Sequence, residues 1–280
     1  MLSLLLLFAC AHSPDAVAPV GVGGAAPVGV GGAAPVGVGG AAPVASVAAP
    51  VAAPAVDYAA LVTAADRTDA DRALDDGRHP AALLAAMGVR PGQRVADLMA
   101  GGGYTTELLA RAVGPTGAVY GQNSKWVLDR FAAAPWTERL ARPVNANVTR
   151  VDRELGEPLG VADLDLVSMV LFYHDSVWLK VDRAAMNTAI FAALKPGGRY
   201  VVVDHSATAG SGLADVETLH RIDEAVVKQE VTAAGFRVVE SPSFLRNPED
   251  ARDWSASPGK AAERRGTSDR FVLVFEKPGA

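Results

Sequence analysis

"RVADLMAGGGYTTELLARAVG" (residues 94–114) decides the fold. A short apolar run meets three consecutive glycines and then passes into a segment with helical spacing. Strand, glycine turn and helix in that order are the start of a βαβ unit. Glycines let a backbone approach a ligand closely, and the following helix N-terminus presents free N–H groups.

The pattern repeats downstream. Strand-like runs occur at 94–99, 117–123, 147–151, 164–173, 199–205, 235–241 and 270–277, and helical spacing at 105–113, 125–133, 180–195 and from about Ala214 to Ala234. "LDLVSMVLFY" (164–173) has the β-branched content and length of a strand buried on both faces, as in a parallel sheet. Five strand–helix alternations predict a doubly wound α/β sheet with helices on both faces. The last two strands have no helix-length pattern between them and are expected to pair antiparallel at one edge. In such sheets ligands bind beyond the carboxyl ends of the strands, where strand order reverses.

The N-terminal part has a different composition. "LSLLLLFAC" is too short for a membrane span, which takes about 20 residues, but fits the apolar region of a secretory leader. "APVGVGGA" then occurs three times from Ala18 to Ala41, and no Lys or Arg precedes Arg67. Ala, Pro, Gly and Val alone cannot pack a core, so residues 11–56 read as a disordered tether. The expected organisation is a signal segment (1–10), the tether (11–56) and one α/β domain (57–280). A formal charge of −5 without a basic stripe disfavours nucleic acid.

The dinucleotide fingerprint needs a glycine where the chain has Thr106 and an acid where it has Gln122 and Asn123. Asp97 followed by Ala100-Gly101-Gly102-Gly103-Tyr104 instead resembles the cofactor loop of class I S-adenosylmethionine-dependent methyltransferases. "LKPGGRYVVVD" (194–204) is similar to the segment that leads into their fifth strand. "GGGYTTELL", "VDHSA", "LHRID" and "DRFVLVFEKP" resemble in particular a group of bacterial predicted methyltransferases. The resemblance implies a Rossmann-like, mostly parallel seven-stranded sheet with an antiparallel C-terminal edge, and S-adenosylmethionine as cofactor. It implies that Asp97, Ala100, Gly101, Gly102, Gly103 and Tyr104 form the cofactor loop. It also implies that Gln122 and Asn123 take the ribose hydroxyls in place of a carboxylate, and that Asp152 reaches the adenine. "LFAC" is similar to the bacterial lipoprotein signal, with Cys10, the chain's one cysteine, as the lipidated residue. That implies a periplasm-facing address in the cell envelope, with the membrane contacted through the lipid alone; a misassigned start codon would leave the chain in the cytoplasm.

Candidate chemistry follows strands four and five: Tyr173-His174-Asp175 and Asp204-His205. Histidine titrates near neutral pH and suits a general base, so His174 or His205 is expected to deprotonate a small-molecule acceptor. The acceptor atom is not legible, because "FYHD" stands where amide and amine methyltransferases carry their catalytic tetrapeptide. Nothing fixes the oligomeric state. Two readings compete with the enzyme: a non-catalytic exported protein on the same fold, and a metal protein using His174, His205 and His220 with Asp175 or Asp204. Trp126, Trp136, Trp178 and Trp254 are expected in the core or in a lid, and Arg221 either on an acidic substrate group or in a helix-surface salt bridge.

Overall fold

A computed structural model of the chain describes residues 56–279. The leader, Cys10 and the repeats lie outside the described residues.

Three helices open the described part: α1 (Tyr58–Val62), α2 (Asp69–Arg78) and α3 (Pro80–Met87). Then come β1 (Arg94–Leu98), α4 (Tyr104–Val113) and β2 (Ala118–Asn123). A helical passage follows from α5 (Lys125–Val127) through a π-turn (Leu128–Ala132) into α6 (Ala133–Leu140), leading to β3 (Val148–Asp152) and β4 (Leu164–Val170). Next are α7 (Tyr173–Trp178), α8 (Arg183–Ala193), β5 (Leu194–His205), α9 (Val216–Leu219) and α10 (Glu224–Ala233). The chain ends with β6 (Arg237–Glu240), α11 (Pro258–Ala261) and β7 (Arg270–Glu276).

The strands form one seven-stranded sheet in the order β3-β2-β1-β4-β5-β7-β6. β1 to β5 run parallel, and β7 pairs antiparallel with both β5 and β6, as the sequence predicts. Alternation along the central strands divides the core. Tyr200, Val202, Phe271, Leu273 and Phe275 face one layer with α8 and α10, while Val201, Val203, Val272 and Val274 face the other with α3 and α4. Each such side chain contributes about 1.5–3 kcal/mol on full burial. Together they hold β4, β5 and β7 as the stiff centre of the sheet.

Strand order reverses between β1 and β4, which pair from Val95↔Leu166 to Leu98↔Met169. The crevice above this pair is where a ligand is expected.

Two elements differ from the sequence reading in ways that shape the site. β4 ends at Val170, not at residue 173, because Leu171 takes a positive φ of 59° and turns the chain into α7. Tyr173, His174 and Asp175 therefore sit in the first turn of a helix. The helix expected from 214 to 234 is two: His220 adopts a left-handed φ of 50°, and Ile222 bridges Ser206 in parallel beside the end of β5. The break swings His220 towards α7.

Candidate functional site

The glycine loop is held from below by its own strand neighbours. Asp97 is buried at the end of β1, where its carboxylate accepts from the Thr106 hydroxyl (2.6 Å) and the Ser168 hydroxyl (2.9 Å). Burial pushes its pKa up to about 6, against the lowering effect of these two bonds. Gln122 Oε1 accepts the Met99 N–H (3.0 Å), and its Nε2 donates to the Arg153 carbonyl. Asn123 Oδ1 accepts the Gly101 N–H (2.8 Å) while Nδ2 donates to the Gly101 carbonyl (3.1 Å).

Both amides are thus spent on backbone groups, Asn123 on Gly101 alone and Gln122 on Met99 and on Arg153 after β3, and neither lines the cavity. The expectation that they take ribose hydroxyls finds no support in these contacts: in Asn123, a side chain that satisfies the N–H and C=O of one loop residue at once is a latch. Gly101 (φ 58°) has open space where a Cβ would stand, whereas a Cβ on Gly103 (φ 81°) would come within 2.5 Å of the Trp136 ring. Gly101 therefore leaves room for a ligand and Gly103 leaves room for the core. α4 begins without a side-chain cap at Gly103, and although Asp97 takes the Thr106 N–H, the N–H groups of Tyr104 and Thr105 keep their hydrogen-bonding capacity.

A cavity of about 700 Å³ opens above the loop and the carboxyl ends of β1, β4 and β5, well within the range of small-molecule sites. One flank is aromatic, with Trp126 and Trp178 edge-to-face at 5.0 Å and Phe131 and Phe172 beside them. Another part of the lining is charged, with Asp71, Arg78, Arg139 and Arg265. Arg139 ties α6 to α2 and to the loop: it pairs with Asp71 (2.7 Å) and Glu107 (2.7 Å) and donates to the Gly102 carbonyl. Arg78 stacks over the Tyr104 ring at 4.5 Å, and the Tyr104 hydroxyl donates to Asp75 (2.6 Å).

The third wall carries the histidines. Asp204, fully buried, accepts the backbone N–H groups of His174 (2.7 Å) and His205 (2.8 Å), and also meets His174 Nδ1 (2.7 Å). His174 Nε2 lies 3.0 Å from Asp175 Oδ1 and 3.2 Å from His220 Nδ1. Burial opposes a charge on His174, but Asp204 and Asp175 outweigh it and raise its pKa to about 10. Asp175 is held well below the usual carboxylate range despite burial by hydrogen bonds from His174, His220 and Trp178.

His205 behaves oppositely. Burial, with the charges of His174, Arg270 and Arg221 added, holds it well below the ordinary histidine value. One ring nitrogen, Nδ1, meets the Ser268 hydroxyl (2.7 Å). His174, with both nitrogens engaged by carboxylates, is poorly suited to serve as a base; His205 retains a nitrogen outside those contacts.

The structure gathers Asp97, Ala100, Gly101, Gly102, Tyr104, His174, Asp175, His205 and His220 at one cavity, and keeps several other expected residues off its wall. Tyr173 is buried against Asn187 (2.9 Å) and Glu230 (2.8 Å). Asp152 is half-exposed at the end of β3, paired with Arg150 (2.8 Å) and away from the lining. Trp136 is fully buried. Arg221 is neither on a helix surface nor on the cavity wall: it is buried in a pair with Asp250 (2.7 Å) and stacks on Trp254 (4.8 Å). Sequence reasoning missed Asp71, Arg78, Arg139 and Ser268. Asp71, Arg78 and Arg139 lie on helices and Ser268 in the loop before β7, and neither a charged helix position nor a loop serine carries a sign that tertiary packing will turn it inward.

No protein-family model matches the chain. Solved structures do match. A methyltransferase dependent on S-adenosylmethionine from Aquifex aeolicus is 16% identical, covering 80% of this chain and 100% of its own, with a TM-score of 0.52. One from Mesorhizobium loti is 20% identical over 72% and 99% of the two chains (TM-score 0.50), and one from Methanosarcina mazei 13% identical over 71% and 98% (0.51). The chain has the Rossmann-like methyltransferase fold. At these identities the likeness establishes architecture.

Proposed function

We propose that the protein transfers a methyl group from S-adenosylmethionine to a small-molecule acceptor in this cavity. The observation that carries the reading is that the open side of Gly101 and the ring of His205 face one cavity, at the crevice between β1 and β4. When bound, S-adenosylmethionine supplies an electrophilic methyl group on a sulfonium centre.

The residues fit such a ligand in two of its parts. Gly101 and the uncapped start of α4 leave space and N–H donors for the methionine portion, with Arg78 beside them for its carboxylate. Trp126, Trp178 and Phe131 offer an apolar flank for a base and exclude water. The ribose hydroxyls find no partner at the end of β2, since Asn123 is turned to Gly101. His205 takes the acceptor proton on the ring nitrogen that Ser268 leaves free, and Asp204 fixes the backbone that carries it.

The latched amides also favour a second reading, a protein that keeps the fold and binds no cofactor. Calorimetric titration of the full chain with S-adenosylmethionine separates the two. Micromolar binding that is lost in Gly101→Val supports transfer; no heat at millimolar cofactor refutes it.

For the address, the leader ending in Cys10 supports a lipid anchor in the cell envelope. Among the described residues no helix is long and apolar enough to cross a membrane.

A further inference from the structure

The three side chains that close the histidine wall form a nearly equilateral triangle of ligand atoms. His174 Nε2 to Asp175 Oδ1 is 3.0 Å, His174 Nε2 to His220 Nδ1 is 3.2 Å, and His220 Nδ1 to Asp175 Oδ1 is 3.4 Å. Hydrogen bonding serves such a triangle poorly. A donor prefers a nearly straight D–H···A line, and in a triangle an N–H aimed along one edge points about 60° away from the other. A hydrogen-bonded network satisfies the edges one at a time, and two imidazole nitrogens are left facing each other.

A single cation satisfies all three corners together. With ligands at about 2.0–2.1 Å, a tetrahedral zinc site has ligand atoms about 3.3 Å apart, a separation that falls within the 3.0–3.4 Å span of the edges seen here. We propose that His174 Nε2, Asp175 Oδ1 and His220 Nδ1 hold a divalent transition-metal ion of the zinc class.

Features around the triangle match what such an ion requires. His174 Nδ1 is bonded to the buried carboxylate of Asp204 (2.7 Å), the outer-shell arrangement that fixes the tautomer and orientation of a ligating histidine. The Trp178 indole N–H donates to Asp175 Oδ1 (2.7 Å) and orients the carboxylate. All three ligand residues line the cavity, so the remaining coordination positions open towards a bound small molecule. Two imidazoles and one carboxylate favour zinc and its neighbours over magnesium, which takes oxygen ligands.

Of the residues expected from the sequence, the triangle keeps His174, His220 and Asp175 and leaves out His205, whose Nδ1 is bonded to Ser268, and Asp204, which is bonded to His174 Nδ1. In the methyltransferase reading, the open face of the ion would take an oxygen or nitrogen of the acceptor. The site itself rests only on the triangle, so it stands or falls separately from cofactor binding.

The test uses the full chain stripped with a chelator, dialysed against micromolar zinc and then chelator-free buffer, with metal measured by plasma mass spectrometry. One zinc per chain is expected. His220→Ala, a partly exposed position, is expected to remain folded by circular dichroism and to lose at least about 100-fold in affinity. Asp204→Asn, acting through His174, should weaken binding about 10–100-fold. His79→Asn, a histidine distant from the triangle, should change nothing. Cobalt(II) should give ligand-field absorption that His220→Ala abolishes. Less than a tenth of an equivalent of zinc on the wild-type chain, or retention unchanged in folded His220→Ala, overturns the proposal. Zinc bound without any heat from S-adenosylmethionine would uphold the site and refute methyl transfer.

Discussion

Replacing Asn123 by aspartate decides what the end of β2 is for. An acid there is what a ribose partner calls for, yet the structure uses both ends of the amide on Gly101. In Asn123→Asp the bond to the Gly101 carbonyl (3.1 Å) is lost and a carboxylate oxygen faces it instead, on a side chain that is 0% exposed. Leaving one buried acceptor unsatisfied costs about 1–3 kcal/mol. Repulsion and burial raise the pKa of the new carboxyl, and each unit of rise adds about 1.4 kcal/mol to the cost of keeping it ionised at neutral pH. Taking about 2 kcal/mol in all, with Tm moving roughly 2–4 °C per kcal/mol in a domain of this size, Tm at pH 7.5 should fall by about 4–8 °C. Because the folded state binds the proton more tightly than the unfolded chain, the deficit should shrink as pH is lowered. Differential scanning calorimetry across pH, with a cofactor titration beside it, reads both effects. An Asn123→Asp protein as stable as wild type that binds S-adenosylmethionine more tightly would refute the latch and restore a ribose role.

The two loop glycines should separate. Gly101→Ala places a methyl group in open space and should cost about 1 kcal/mol of backbone strain while weakening cofactor at least tenfold. Gly103→Ala drives a Cβ into Trp136 and should cost several times more stability, read by urea denaturation. Asp97, whose pKa is raised to about 6 in the fold, should make stability fall as pH rises between about 4 and 6, by roughly 3 kcal/mol; Asp97→Asn should remove that component from the curve of unfolding midpoint against pH. Arg221→Met strands the buried Asp250 carboxylate and should cost about 3–5 kcal/mol by denaturant unfolding. Palmitate labelling of cells expressing the chain should mark the wild type and not Cys10→Ser, and no labelling of the wild type would rule out the anchor.

The sheet was legible because its signals are local. Apolar runs of strand length, the Gly-rich turn after β1 and the missing helix between the last two strands each state a rule of connection, and the doubly wound sheet with its antiparallel edge follows. Strand ends were legible for the same reason; they carry Asp97, Asp204 and His205, and β4 leads into His174 in the first turn of α7. What escaped was set by tertiary contacts. "LHRID" has the composition of a helix interior, but Ile222 pairs with Ser206 and Arg221 seeks the buried Asp250, so the helix breaks at His220. Gln122 and Asn123 sit where a ligand partner belongs by register. Their side-chain bonds to Met99 and Gly101 depend on how the loop folds back over β2, which no periodicity encodes. The roles of Arg78 and Arg139 arise only once α2 and α6 close the cavity.

Hydrogen–deuterium exchange of the full chain with and without S-adenosylhomocysteine, the product-side ligand, tests the central claim most directly because it reports where binding occurs. Slowed exchange in residues 97–106, with a second protected segment at 171–178, is the predicted result. Saturating ligand that leaves both segments unchanged would contradict it.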